Sequence, residues 1–250
     1  MNFRAVPSPP MQDARSPRQP RSARRPQWIK VGWTWRDYNR RMRFSTLFFD
    51  LDDTLYPNST GLWQAIKARI NIYMIERLSI PEKDAPQLRE QYFKMYGTTL
   101  RGLQARHNVN AQDFLAFVHD LPLQDYLTPD PVQRDVIASL PHRKLVFTNA
   151  DSAHARRVLT ALNLNDLFES IVDIHAVAPY CKPMPESFAI AQDLSDEPDP
   201  RKCVMIDDLP RTTRAALDAG MASILYGTEE PTSDASGVFM DWAHLPILLG

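Results

Sequence analysis

The sequence predicts an α/β fold, and three observations carry that expectation. Short apolar runs alternate with helical stretches from about residue 130 onward, the pattern of repeated strand–helix–strand units in a parallel sheet. A block at 57–129 shows helical periodicity and no strand-like run. Acidic and hydroxyl residues follow several of the apolar runs, at the carboxyl ends where open parallel sheets bind their ligands. Together these describe a Rossmann-like parallel sheet with an all-helical segment inserted after the first strand.

Taken in order, Thr46-Leu47-Phe48-Phe49 is a short apolar run ending at Asp50, as expected of a buried parallel strand. A helix is expected at about 60–78, where Leu62, Ile66, Ile70, Tyr73 and Met74 share one face. Ser59 or Thr60 would cap it, and Pro81 marks its end. Further helices are expected at 85–96, about 98–107 and 111–119, with another in the 130s around Val132, Val136 and Ile137. The second strand is expected at 144–147, followed by a helix at 152–162. The third strand is expected at 171–174, with a helix at 184–194. The fourth is expected at 203–206, with a helix at 210–219 closed by Gly220. A last strand at 223–226 and a helical tail near 239–248 complete the pattern.

With 250 residues, 44% of them apolar, the chain can bury a sizeable core. Its longest apolar runs are a few residues, too short to span a bilayer. Cys181 and Cys203 cannot make a disulfide framework or a Cys-rich zinc site, and they suit a reducing cytosol, so a cytoplasmic location is expected. The net charge of -1 hides two unlike pieces. Residues 1–43 carry 11 Lys and Arg against two acidic residues, and residues 44–250 carry 18 against 28.

Residues 1–27 hold six prolines and many arginines with few apolar residues, which predicts a disordered extension. The WIKVGWTW run at 28–35 is apolar enough to pack on something. Three readings of this basic stretch stand open. It could contact nucleic acid or an anionic surface, it could be an organelle transit peptide, or translation could start at Met42.

The strand ends carry the chemistry. The first ends in Asp50-Leu51-Asp52-Asp53-Thr54, the second in Thr148-Asn149-Ala150-Asp151, and the fourth in Asp207-Asp208; Cys181-Lys182-Pro183 follows the third. Parallel topology gathers these at one edge of the sheet. Carboxylates in one place repel one another unless a cation joins them. Mg2+ is the natural partner, because it takes oxygen ligands from a few carboxylates and a phosphate. A carboxylate nucleophile, a second carboxylate two residues on, a hydroxyl, a lysine and a metal make a phosphoryl-transfer site. Carboxylate attack forms an acyl phosphate that water then cleaves. The neighbouring acid protonates the leaving alkoxide and then deprotonates the water.

These four motifs, in order and each after a strand, resemble those of the haloacid dehalogenase (HAD) superfamily. The strings FFDLDDTLYPNSTGL, YGTTLRGL, FVHDLPL, FTNAD, YCKPMPESF and IDDLPR resemble, more narrowly, its pyrimidine 5'-nucleotidase group. The resemblance implies a HAD core at 44–56 and 130–250 and a helical cap at 57–129. It implies a Mg2+-dependent phosphomonoesterase acting on pyrimidine nucleoside 5'-monophosphates such as UMP and CMP. Asp50 would be nucleophile and metal ligand. Asp52 would be general acid/base and give the metal its backbone carbonyl, with Thr54 steadying Asp52. Thr148 and the amides of Asn149 and Ala150 would hold the phosphate, and Lys182 would neutralise Asp50 and the phosphate. Asp208 would be the inner-sphere Mg2+ ligand, with Asp207 a second or outer-sphere one. Thr212 departs from the Asn expected four residues after Asp208.

Taken singly, Asp53, Asp151 and Asp207 are equally well read as caps or turn formers. Thr98, Thr99 and Arg101, after the break at Gly97, are candidates for substrate specificity; Arg101 could pair with phosphate or a base edge, or be a surface charge. Tyr96, Phe114 and Tyr126 could stack on a base but suit core packing better. The six histidines show no metal spacing; His119 and His154 could help bind substrate, but a structural role suits them better. Rival substrates are phosphoglycolate and sugar phosphates. A phosphomutase would use the same motifs, and a dehalogenase would lack the acid at Asp52. A non-catalytic HAD-fold binding protein, with the basic extension as a nucleic-acid contact, is disfavoured by the intact Asp50 and Asp52.

Overall fold

The computed structural model describes residues 43–250. The basic extension and the WIKVGWTW run lie outside the described residues. Six strands, β1 (Thr46–Phe49), β2 (Arg143–Phe147), β3 (Ser170–Val172), β4 (Cys203–Asp207), β5 (Ala222–Tyr226) and β6 (Gly237–Phe239), form one sheet in the order β3-β2-β1-β4-β5-β6. Every neighbouring pair is parallel. Phe49 pairs with Val146 on one side and Ile206 on the other, so β1, β2 and β4 end level with one another.

Successive strand residues face opposite sides of the sheet. Leu47, Phe49, Val146, Val204 and Ile206 pack on one face, while Phe48, Leu145, Phe147 and Met205 pack on the other. Both faces are covered by helices, which is why these strands read as unbroken apolar runs. Nine α-helices follow in the described residues: α1 (Leu62–Leu78), α2 (Ala85–Tyr96), α3 (Thr99–His107), α4 (Ala111–Val118), α5 (Pro131–Ser139), α6 (Ser152–Ala161), α7 (Pro185–Leu194), α8 (Pro210–Asp218) and α9 (Leu245–Leu249). Helices α1–α5 all lie between β1 and β2, so the all-helical insertion expected after the first strand is present. Among the described residues no helix is long and apolar enough to cross a membrane.

The insertion follows its sequence closely. Leu62, Ile66, Ile70, Tyr73 and Met74 are the buried residues of α1. Its start differs from expectation: Gly61, at φ 82°, caps it, and Ser59 and Thr60 belong to a preceding turn of 3-10 helix. The Thr98 hydroxyl oxygen accepts from Arg101 N at 3.1 Å and opens α3. Asn110 caps α4 by accepting from Asp113 N at 3.0 Å. At the far end, the helical tail expected near 239–248 is present as a 3-10 turn at Trp242–His244 and the short α9, and an unexpected strand, β6, precedes it. Three residues of edge strand are too few to show an alternation. The third strand, expected at 171–174, runs Ser170–Val172. Cys181 and Cys203 are both buried and free.

Helices α2 and α3 cross where α3 has no side chain. A Cβ on Gly102 would lie 2.5 Å from Tyr92 Cβ, far inside van der Waals contact. Gly102→Val is therefore expected to destabilise the protein by about 3 kcal/mol, because the helices must separate to admit it. Urea unfolding measures this; an unchanged midpoint would contradict the packing described.

Candidate active site

The ends of β1, β2 and β4 open into a cavity of about 420 Å³ whose floor is charged and whose wall mixes apolar side chains with Lys67, Arg89 and Glu90. Asp50, Asp52, Thr148, Lys182, Asp207 and Asp208 line the floor. Trp63, Ile66, Ile70, Phe93, Leu100 and Phe114, from the helical insertion, line the wall.

Asp50 follows β1, its backbone N–H held by Ile206 O at 2.8 Å, which carries the parallel pairing one residue past the strand. Asp207 closes β4 on the adjacent strand, so the two carboxylates are brought together by sheet pairing alone. Lys182, 3% exposed, donates to Asp50 Oδ1 at 2.6 Å and to Asp207 Oδ2 at 2.7 Å. Its backbone is fixed from the second strand's end: Asn149 Oδ1 accepts from Lys182 N at 2.9 Å, and Asn149 Nδ2 donates to Lys182 O at 3.0 Å. Asp207 Oδ1 accepts from Leu209 N at 2.9 Å, so both Asp207 oxygens are engaged. Thr54 donates toward Asp50 Oδ2 at 3.3 Å and Asp208 Oδ1 at 3.4 Å.

Electrostatics follow from burial. Desolvation pushes the Asp50 carboxyl up to about 7, against the pull of Lys182 and with the push of Asp207. Desolvation and the neighbouring Asp207 and Asp50 push Asp208 up to about 9. Burial opposes the charge on Lys182, but Asp207 and Asp50 outweigh it and raise its pKa, so it stays protonated. Asp52 differs. Burial again raises it, yet the His154 imidazole and the Tyr56 hydroxyl hold it below the usual carboxylate range. The floor therefore pairs carboxyls that hold protons too tightly with one that releases its proton readily.

The arrangement tests the expected metal directly. One carboxylate oxygen each from Asp50, Asp207 and Asp208 lie within 4.8 Å of one another. The donors are all oxygen, which suits a hard cation such as Mg2+ over a softer metal. Their raised proton affinities express the same need for positive charge. The residues present fit the ion.

Thr148 is buried on the cavity floor, where its hydroxyl oxygen accepts from Ala150 N at 3.0 Å. Asn149 also lines the cavity, although its side chain serves Lys182. Thr54 reaches Asp50 and Asp208 rather than Asp52; Asp52 Oδ1 is held instead by Tyr56 at 2.6 Å and His154 at 3.0 Å. No local spacing marks His154, 102 positions away, as a partner of Asp52; Tyr56 is only four positions off, but nothing in the sequence distinguishes its hydroxyl from a buried core tyrosine. Thr98 and Thr99 line the cavity. Arg101 does not: its guanidinium donates to Tyr180 O, Ile174 O and Gln104 Oε1, clamping α3 onto the loop before Lys182. Phe114 lines the wall, whereas Tyr96 accepts from Arg106 elsewhere, and Trp63 and Phe93 are the aromatic residues that join Phe114. Asp151 is the N-cap of α6, accepting from His154 N at 2.8 Å. Thr212 is buried at the cavity.

The model of the haloacid dehalogenase-like hydrolase family matches residues 44–220. Phosphate metabolism protein 8 of Saccharomyces cerevisiae is 32% identical over 197 residues, covering 73% of this chain. The match takes in 61% of that relative, so this chain spans less than two thirds of its length. Among solved structures, CbbY from Rhodobacter sphaeroides in complex with phosphate matches with a TM-score of 0.60 at 18% identity, over 82% of this chain and 99% of that one. The HAD-hydrolase YfnB from Bacillus subtilis, bound to magnesium, matches with a TM-score of 0.53 at 18% identity, over 83% and 99%. At such identities these two speak for the fold.

Asp50 and Asp208 carry folded-state pKa values above the unfolded carboxylate value of about 4. Their protonated forms favour the fold, so the metal-free protein loses stability as pH rises through about 7 and on through about 9. A divalent cation binds the ionised form. Mg2+ is thus expected to raise the melting temperature more at about pH 8 than at about pH 6. Thermal unfolding with and without Mg2+ checks this; a shift that shrinks as pH rises would contradict it.

Proposed function

Because the chain belongs to the haloacid dehalogenase-like hydrolase family, we propose that it is a Mg2+-dependent phosphomonoesterase whose substrates are pyrimidine nucleoside 5'-monophosphates such as UMP and CMP. The observation that carries the reaction type is the buried Asp50–Lys182 contact of 2.6 Å on the floor of the cavity. The lysine holds a nucleophilic carboxylate in place and stands ready to meet phosphate charge.

In the first half-reaction Asp50 attacks phosphorus, the bond to the ester oxygen breaks, and the leaving oxygen takes a proton from Asp52. Asp52 is ionised in the free protein; a phosphate dianion bound beside it raises its proton affinity and charges it for that step. In the second half, a water gives its proton to Asp52 and attacks the aspartyl phosphate. Inorganic phosphate leaves and the Asp50 carboxylate is restored. Thr148 and Asn149 cradle the transferring group with Lys182. Asp50, Asp208 and the Asp52 backbone carbonyl would hold Mg2+, with Asp207 beside them; the ion supplies positive charge to the phosphate oxygens. Asp208 suits direct ligation better than Asp207, both of whose oxygens are already bonded to Lys182 and Leu209.

The wall favours a nucleotide over phosphoglycolate. Trp63 and Phe114 offer apolar rings to the cavity, a surface that suits a planar base, while Phe93 carries the Arg211 guanidinium over its ring at 3.7 Å. Thr98, Thr99, Asn58 and Glu90 add polar groups for base edges. In this reading α1–α4 act as the cap, shielding the aspartyl phosphate until water is required.

Phosphate release over a panel of mononucleotides, phosphoglycolate and sugar phosphates is expected to give the highest kcat/KM with UMP or CMP. A clear preference for phosphoglycolate or a sugar phosphate would overturn the substrate assignment. Asp50→Asn is expected to lower turnover of every substrate by about a thousandfold or more. Retained activity would remove Asp50 as nucleophile.

A further inference from the structure

Asp52 is held from behind by two groups that do not line the cavity. Its Oδ1 accepts from the Tyr56 hydroxyl at 2.6 Å and from His154 Nε2 at 3.0 Å. A carboxylate oxygen offers two lone-pair sites in its plane, and two donors fill both. Oδ2 is therefore the oxygen left to exchange a proton. His154 donates to this oxygen in the tautomer that carries its ring proton on Nε2.

Both donors are locked. Tyr56 is 2% exposed and His154 is 1% exposed. The His154 ring lies flat on His119, with centroids 4.0 Å apart and an interplanar angle of 15°. His119 follows α4, the insertion helix that brings Phe114, Leu115 and Val118 to the cavity wall. Its Nδ1 meets Asp151 Oδ2 at 2.9 Å, and Arg157 of α6 donates to its carbonyl oxygen at 2.8 Å. His154 Nδ1 is buried with no protein partner, so the polar work of that ring is done at Nε2.

We propose that Tyr56 and His154 are positioning residues that fix the Asp52 carboxyl through Oδ1, so that its proton passes to the leaving oxygen from Oδ2 alone, with the stack on His119 tying that orientation to the end of the helical insertion. This rests on the reading of Asp52 as the general acid/base. A packing role would weaken the fold, or lower activity on all substrates by one factor. A positioning role changes how strongly the rate depends on the leaving group, because a poor leaving group needs the proton and a good one does not.

The test compares phenyl phosphate with p-nitrophenyl phosphate, two probes of similar shape whose leaving groups differ in basicity. The quantity read is kcat/KM, which reports the steps up to phosphoryl transfer. Tyr56→Phe removes one donor at constant shape, and His154→Leu removes the other. Each is expected to lower kcat/KM about tenfold more for phenyl phosphate than for p-nitrophenyl phosphate. His154→Gln, which returns an N–H at similar reach, is expected to recover most of the difference. Equal losses on the two probes in Tyr56→Phe and in folded His154→Leu would overturn the proposal. Should His154→Leu fail to fold, Tyr56→Phe decides alone. Asp52→Asn separates the two levels. It must itself show the selective loss on phenyl phosphate, and if it does not, the acid/base reading of Asp52 fails.

Discussion

The site depends on an excess of buried negative charge. Asp50, Asp207 and Asp208 bring their oxygens within 4.8 Å of one another, and Lys182 is the cation that meets them, reaching two of the three. Removing such charges from water is costly, and one ammonium cannot offset three carboxylates. The imbalance shows in Asp208, pushed up to about 9. It also explains the precision of the surrounding bonds: Asn149 grips the Lys182 backbone through both ends of its amide, and Leu209 N closes off Asp207. A hard divalent cation would complete the balance and at the same time receive a phosphate.

The parallel sheet makes this concentration of charge possible. β1 lies between β2 and β4 with matched registers, so residues that follow three different strands meet over a few ångströms. The helical insertion then supplies what the sheet cannot, a wall rich in apolar side chains facing the charged floor. One cavity thus sets a cluster of carboxylates and a lysine opposite apolar side chains of the insertion. Arg101 belongs to the joint between the two parts, where its donors bind the carbonyls of Ile174 and Tyr180.

Much of this was legible in the sequence. Apolar runs ending in Asp50, Thr148 and Asp207 located three strand ends, because strands buried on both faces carry no polar interruption. The α1 face followed from helical spacing. The pieces that could not be read depend on distant pairing. His154 meets Asp52 from 102 positions away and His119 stacks on His154 from 35 positions away, while Tyr56, four positions from Asp52, reaches it only through the fold of the turn between them. Thr54 sits two residues from Asp52 in sequence but turns toward Asp50 and Asp208. β6 was hidden by its brevity, since its three residues pair with β5 along the sheet edge without any pattern of their own.

Everything turns on Asp50 acting as a nucleophile rather than as a metal ligand alone. The most direct measurement is acid quenching of Asp52→Asn protein during turnover of p-nitrophenyl phosphate with Mg2+, followed by peptide mass spectrometry. Loss of the base slows cleavage of the acyl phosphate, so the covalent species accumulates. Phosphate on the Asp50 side chain is the expected result. Phosphate on another residue, or nitrophenol released with no phosphate left on the protein, would contradict it.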